Sequence, residues 1–257
     1  MFANSRYGVI PGLAVFCFLS CVQPATADLI AHWTGDGTAV DATGNGHDGS
    51  LFGNTTYAPG KIGQAFSFDG ADDYVRISTT AALEPSVFSV AAWVNVASTG
   101  ALVTIAESSH GNPGASGWAL QIDTLGRPRF AVGSTTTVFP EAVGTSNIFD
   151  GNFHHLAGVF DGTDLKMYVD GAEEATLAFS GTVDHSGRDL RIGAWWGNGG
   201  APSREVNGLV DEVRFYNNAL SAGQVSALAV PEPSSLLMFG VASVCLAGFR
   251  RQPRRAG

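Results

Sequence analysis

The sequence predicts an all-β protein, an antiparallel two-sheet β-sandwich, and three observations carry that reading. The first is composition: 33 glycines and only 14% charged residues in 257, with 45% hydrophobic residues. Low charge with abundant Gly, Thr, Ser, Val and Phe favours a turn-rich sheet protein over helices. The second is the stretch Phe153 to Gly171, FHHLAGVFDGTDLKMYVDG. His154 to Phe160 is apolar on both alternating faces, which suits a strand covered on both sides. Asp161-Gly162-Thr163-Asp164 is turn chemistry, and Leu165, Met167 and Val169 then alternate with Lys166 and Tyr168. The third is that similar short alternating runs, separated by Gly-, Asp- and Asn-rich turns, recur across residues 28–229. A segment of roughly 200 residues is the size of one sandwich with a sizeable core, so no second domain is required.

Taken in order, Leu29 to Trp33 reads as a first strand, followed by a loop from Gly35 to Gly49 dense in Gly, Asp and Asn. Lys61 to Gly70 and Tyr74 to Ile77 follow, and then Phe88 to Val96, FSVAAWVNV, a long alternating strand. Leu102 to Glu107, Trp118 to Asp123 and Arg129 to Val132 are further strands, with Ser108 to Gly117 read as a polar loop. Thr135 to Phe139 reads as an edge strand ended by Pro140. After the 153–171 hairpin come Leu190 to Gly193, a Gly-rich loop from Trp195 to Ser203, and a last long strand from Leu209 to Tyr216. A short helix closes the run. Ser221 is its N-cap, Gln224 stands at the capping-box position, and Leu220 and Val225 have hydrophobic-staple spacing.

Several of these segments share an order of motifs. They are the Thr43-Gly44-Asn45-Gly46 turn, Lys61-Ile62-Gly63 through Phe68-Asp69-Gly70, the 88–96 strand, His154-His155 through Tyr168-Val169-Asp170-Gly171, Leu190 to Gly193 and Asp211-Glu212-Val213-Arg214. Together they resemble the LamG-like jellyroll family, the concanavalin A-like sandwich, over roughly Asp28 to Leu228. One departure is Phe153, where the family usually has Trp. The resemblance implies a jellyroll fold; it does not supply a ligand.

The two ends differ from the middle. Gly8 to Val22 is an apolar run behind Arg6, followed by Ala25-Thr26-Ala27, which reads as a signal peptide over residues 1–27, cut before Asp28. An N-terminal anchor and a lipoprotein signal at Cys21 are weaker alternatives. At the other end, Pro231-Glu232-Pro233 precedes an apolar run from Ser234 to Phe249 and a basic cluster, Arg250-Arg251-Gln252-Pro253-Arg254-Arg255. Residues 230–257 resemble a PEP-CTERM sorting signal. The resemblance implies a transmembrane helix serving as a transient membrane anchor, an exosortase-type processing enzyme as partner, and export to the envelope, cell surface or extracellular matrix. The basic tail fits the positive-inside rule. A plain C-terminal anchor is the alternative.

Between those ends, residues 28–229 carry nine basic against 22 acidic residues. Such a surplus of acid argues against nucleic-acid binding and fits cation binding or a solvated extracellular surface. Cys17, Cys21 and Cys245 all lie in the terminal segments, so the middle has no disulfide or thiol site. Asp211 is the most informative acid. Strict alternation groups it with Leu209, Val213 and Phe215 on an apolar face, and a buried carboxylate needs a partner or a metal. Asp41, Asn45 and Asp48 offer oxygens in one loop, so a structural calcium ion on Asp41, Asn45, Asp48 and Asp211 is one expectation. Turn formation by the loop residues and backbone capping by Asp211 is the other.

His154 and His155 point to opposite faces and read as structural. No E-x-D-x-x-E strand, nucleophile elbow or P-loop is found, so no catalytic residues are nominated. For ligand binding the candidates are Trp195, Trp196 and Asn198, as an aromatic platform with an amide beside it. The expectation is a non-catalytic, cell-surface binding or adhesion module, with polysaccharide or glycoprotein as partner. A matrix structural protein without a defined ligand is the alternative, and a glycoside hydrolase the more distant one.

Overall fold

The computed structural model describes residues 28–231 apart from 111–115, 135–138, 186 and 197–201. The proposed signal peptide, Asn198, Glu232, Pro233, the C-terminal apolar run and most of the expected 135–139 edge strand lie outside the described residues. Among the described residues no helix is long and apolar enough to cross a membrane.

The strands in chain order are β1 (Leu29–Trp33), β2 (Gly49–Phe52), β3 (Thr56–Pro59), β4 (Gln64–Asp69), β5 (Tyr74–Ile77), β6 (Phe88–Val96), β7 (Val103–His110), β8 (Ser116–Ile122) and β9 (Pro128–Val132). They continue with β10 (Glu141–Val143), β11 (His154–Phe160), β12 (Asp164–Val169), β13 (Ala172–Ala178), β14 (Leu190–Ile192), β15 (Trp195–Trp196), β16 (Pro202–Ser203) and β17 (Asn207–Tyr216). One short helix, α1 (Ala222–Leu228), ends the domain with the expected Ser221–Gln224 capping box.

Two antiparallel sheets form the sandwich. The first has the order β13-β12-β11-β6-β17-β4-β3, with β1 joining the C-terminal half of β17. The second has the order β10-β9-β8-β7-β14-β5-β2, and β15 and β16 make a separate small hairpin. The core between the sheets is dense in rings. Phe88 packs on Trp118, Phe130, Phe160 and Phe215 at centroid distances of 5.7–6.2 Å. Gly158 on β11 faces this core, and a Cβ there would lie 2.3 Å from the Phe130 ring of the opposite sheet. Glycine at 158 therefore sets how closely the sheets approach at that point.

Two expectations are corrected. In the polar stretch Ser108 to Gly117 the described residues are strand, not loop: β7 runs on to His110 and β8 begins at Ser116, while 111–115 lie outside the described residues. More consequentially, Asp211 does not share a face with Val213 and Phe215. On β17, Asp211 pairs with Trp93 but Arg214 pairs with Ala91, so one extra residue is inserted. Glu212 takes up the extra length at φ 54°, a β-bulge. Val210 before the bulge, and Val213 and Phe215 after it, all face the core. Asp211 is fully buried, but on the outer side of the first sheet.

Candidate ligand-binding face

The outer face of the second sheet is polar. Strand register lines up Ser50, Arg76, Arg191, Glu107, Ala119, Ala131 and Glu141 as successive cross-strand partners. Directly opposed residues share a face, so this row runs across the whole sheet. The inward neighbours of these positions, such as Val75, Ile192 and Ala106, belong to the core, which fixes which side the row takes.

The β15–β16 hairpin stands over the middle of the row. Glu107 is fully buried beneath it and is saturated with donors. Its Oε1 accepts from Arg191 Nη1 (3.2 Å) and from the Trp196 backbone amide (3.1 Å), and its Oε2 accepts from the Ser109 amide (3.0 Å) and hydroxyl. Burial pushes the Glu107 carboxyl up, opposed by the Ser109, Arg191 and Trp196 hydrogen bonds. Glu107 thereby ties the hairpin and the guanidinium to the sheet. Arg191 then lies over the Trp196 ring at 4.1 Å, and Arg204 lies over Trp195 at the same distance. Both tryptophans are half-buried, so neither is a core residue and neither stands free.

Trp196 and Arg191 line a cavity of about 230 Å³ together with Arg76, Arg188, Asp189 and Gly187. Arg76 pairs loosely with Asp189 at 3.8 Å, and the Arg191 Nε has no hydrogen-bond partner although the residue is only 4% exposed. An aromatic ring edge, guanidinium donors and a carboxylate around one small cavity can grip a polar ring molecule. Of the ligand residues nominated from sequence, Trp196 is brought to this cavity and Trp195 sits beside it on the same hairpin. Glu107, Arg76, Arg188, Asp189 and Arg191 were not nominated. One signal was available: Arg191 interrupts the apolar Leu190–Ile192 strand in a chain poor in basic residues.

The nominated metal residues are placed apart from one another in function. Asp41 is buried, and four donors already fill its carboxylate: the amides of His32, Thr43 and His47 and the Thr43 hydroxyl. Burial works against ionisation there, but these donors hold the carboxyl below its ordinary range. Asp48 accepts from the Asp41 amide, and the Asn45 side chain donates to the Ile30 carbonyl. These are loop-closing bonds. Asp211 instead reaches the β3–β4 turn, where its Oδ2 accepts from the Ile62 amide at 2.9 Å and its Oδ1 has no partner. Burial dominates and pushes its carboxyl up to about 7. Among the described residues, Asp69, Asp72 and Asp73 form a group of three acids close enough to share an ion.

Asp211 belongs to a second cross-strand row, with Trp93 and His155, on the outer face of the first sheet. The Trp93 and His155 rings meet edge to face at 5.3 Å, and Lys61 Nζ lies 4.4 Å above Trp93. His154, by contrast, bonds Asp170 (2.8 Å) and Asp150 (3.1 Å). Burial opposes its protonation, but the two carboxylates raise its pKa overall.

Two antiparallel sheets packed face to face, with a polar outer face on the second, make a jellyroll-type sandwich. The chain belongs to the concanavalin A-like lectin/glucanases superfamily, whose profile matches residues 69–226. A PEP-CTERM protein-sorting motif matches residues 229–255, which marks the protein for export and for the cell envelope or surface. Among proteins of curated function none matches.

Among solved structures, the chain is similar to domain 4 of AbnA, a GH43 extracellular arabinanase from Geobacillus stearothermophilus, in complex with arabinotriose. Identity is 26% and TM-score 0.62, over 79% of this chain and 99% of that one. It is similar in fold to the binding domain of Paraclostridial Mosquitocidal Protein 1, at 11% identity and TM-score 0.66 over 79% of this chain and 52% of that one. The binding domain of Botulinum Neurotoxin DC in complex with SialylT matches at 14% identity and TM-score 0.61, over 79% and 51%. The chain thus spans about half the length of those toxin domains.

Proposed function

We propose that this is a cell-surface carbohydrate-binding module that holds polysaccharide without cleaving it. The observation that carries the reading is Trp196, anchored by its own amide to buried Glu107 and by its ring to Arg191, at the edge of a cavity lined by charged hydrogen-bonding groups. Sugars are bound by an aromatic surface with fixed polar groups around it. The similarity to an arabinotriose-bound domain supports the class of ligand. A hydrolase would need two carboxylic acids facing each other across an open site, one as acid and one as base or nucleophile. Here Glu107 is enclosed by four donors, and Asp189 sits beside Arg76.

The test is binding of the purified protein to soluble neutral and acidic polysaccharides, arabino-oligosaccharides included, with Trp196→Ala alongside. A loss of about tenfold or more, worth ~1.4 kcal/mol, with an unchanged melting temperature is expected. Release of reducing ends from any of these polysaccharides would replace the reading with a hydrolase. A matrix protein without a ligand is the result if none binds.

Structural calcium on Asp41, Asn45, Asp48 and Asp211 is a separate proposal. The donors around Asp41 count against the loop, and the unpartnered Asp211 oxygen speaks for a cation at that end. A melting temperature lowered by chelator, restored by calcium and insensitive to both in Asp211→Asn supports it. Identical melts with and without chelator remove it.

A further inference from the structure

We infer that the Trp196 cavity selects anionic saccharides, those carrying carboxylate or sulfate groups, over neutral ones; this rests on the carbohydrate-binding reading above. The argument begins with charge placement. Only nine basic residues stand among 28–229, and three of them, Arg76, Arg188 and Arg191, line one cavity of about 230 Å³. Arg204, on Trp195, is a fourth beside it. Four of the seven arginines in residues 28–229 thus stand around one hairpin.

These cations are also incompletely used. Arg191 is 4% exposed, lines the cavity, and leaves its Nε without a partner. Arg188 makes no ion pair among the described residues, and Arg76 reaches Asp189 only at 3.8 Å. A guanidinium offers a planar fork of donors that matches carboxylate and sulfate oxygens, and among the lining residues Arg188 and Arg76 are the ones placed to offer it. The surrounding acid does not defeat this. At physiological salt, charges beyond about 8 Å are largely screened, so the groups at the cavity decide what enters: three lining arginines against Asp189, with Glu107 taken up by Arg191. The distant acids instead discourage polyanions from adhering anywhere else.

Matched pairs of polymers test it: polygalacturonate against its methyl ester, and dextran sulfate against dextran. The probes are titrated into the full chain at low and at physiological salt. We expect the charged member of at least one pair to bind tenfold or more tightly than its neutral partner, and to weaken as salt rises. Which pair responds separates carboxylate from sulfate. Arg188→Gln, which leaves the Glu107–Arg191 anchor in place, is expected to lose fivefold or more, whereas Arg127→Gln, whose side chain pairs with Asp123 in the β8–β9 turn, changes nothing. Equal, salt-insensitive binding of charged and neutral polymers overturns the inference and leaves the carbohydrate-binding reading standing. Charged binding that Arg188→Gln does not weaken overturns it as well, because the anion then sits elsewhere. Absence of binding to all four polymers overturns the inference, and overturns the carbohydrate-binding reading too only if arabino-oligosaccharides also fail to bind.

Discussion

At the scale of single residues, the outer face of the first sheet holds two groups whose proton affinities move in opposite directions. Asp211 is pushed up to about 7 by burial, with Glu212 and Asp36 adding repulsion and the Ile62 and Lys61 amides opposing. His155 is pushed down to about 4, chiefly by burial and also by Arg214, with Asp170 opposing. Linkage fixes the signs. The folded state keeps a proton on Asp211 that the unfolded chain loses above about pH 4, so Asp211 makes stability fall as pH rises to about 7. The unfolded chain protonates His155 below about 6.5 while the folded state does not, so His155 makes stability rise between about pH 4 and 6.5. The two slopes oppose one another in that window. Asp211→Asn removes one of them, and its melting temperature is therefore expected to climb more steeply than wild type from pH 4 to 6.5. Above pH 7 the variant should be the more stable of the two. Parallel melting curves across pH 4 to 8 would show that Asp211 does not carry the proton in the folded state. The row itself was half legible in the sequence. Asp211 stands out as a lone acid among apolar residues, but its face was misassigned, because nothing local in Asp211-Glu212-Val213 announces that Glu212 takes a left-handed conformation.

At the scale of elements, legibility followed burial. Strands with a core face stand out in the sequence because apolar residues recur at every second position within them, as in Phe66 and Phe68 of β4, Val90 to Val96 of β6, Leu165 to Val169 of β12 and Val213 and Phe215 of β17. β13 does not, since its residues are mostly exposed and only its hydrogen bonds to β12 make it a strand. β2 and β3 are short, and β3 ends at Pro59 on the sheet edge, where a missing amide costs least. The Ser108–Gly117 stretch was obscured for a different reason. Ser109 lies on the outer side with Glu107, Ser108 stands opposite Trp118 and Ser116 pairs at the strand end, so the described part has loop composition and strand geometry at once. The proposed binding face was hidden for a related cause. Its parts come from β5, β7 and β14 and from the β15–β16 hairpin, which are distant in sequence, and only sheet order brings Glu107 beneath Trp196. The two tryptophans could be nominated together from sequence because they are contiguous; the arginines around them could not, because they are scattered.

At the scale of the whole molecule, the folded domain and the sorting segment are proposed to be separable parts, and α1 is where the separation falls. Val225 is fully buried and packs with Leu220, Tyr168, Tyr216 and Val159 on the outer face of the first sheet. The helix is thus part of the domain, although it lies next to the 229–255 sorting match. Beyond it the chain returns to solvent at once: Val230 is 64% exposed. A protein comprising residues 28–229 is therefore expected to melt cooperatively and at the same temperature as a version carrying the C-terminal segment held in detergent. Ending the chain at Asn218 instead strips Leu220 and Val225 from Tyr168 and Tyr216 and removes the Leu220 amide that donates to Ser89 Oγ. Burying a Leu or Val side chain is worth about 1.5–3 kcal/mol each, so that shorter chain should lose at least ~3 kcal/mol, several degrees in melting temperature. Equal melting of the two truncations would mean that α1 adds nothing to the stability of the sandwich. The folded domain would then end near Asn218, and α1 would be a spacer between the sandwich and the sorting match at 229–255.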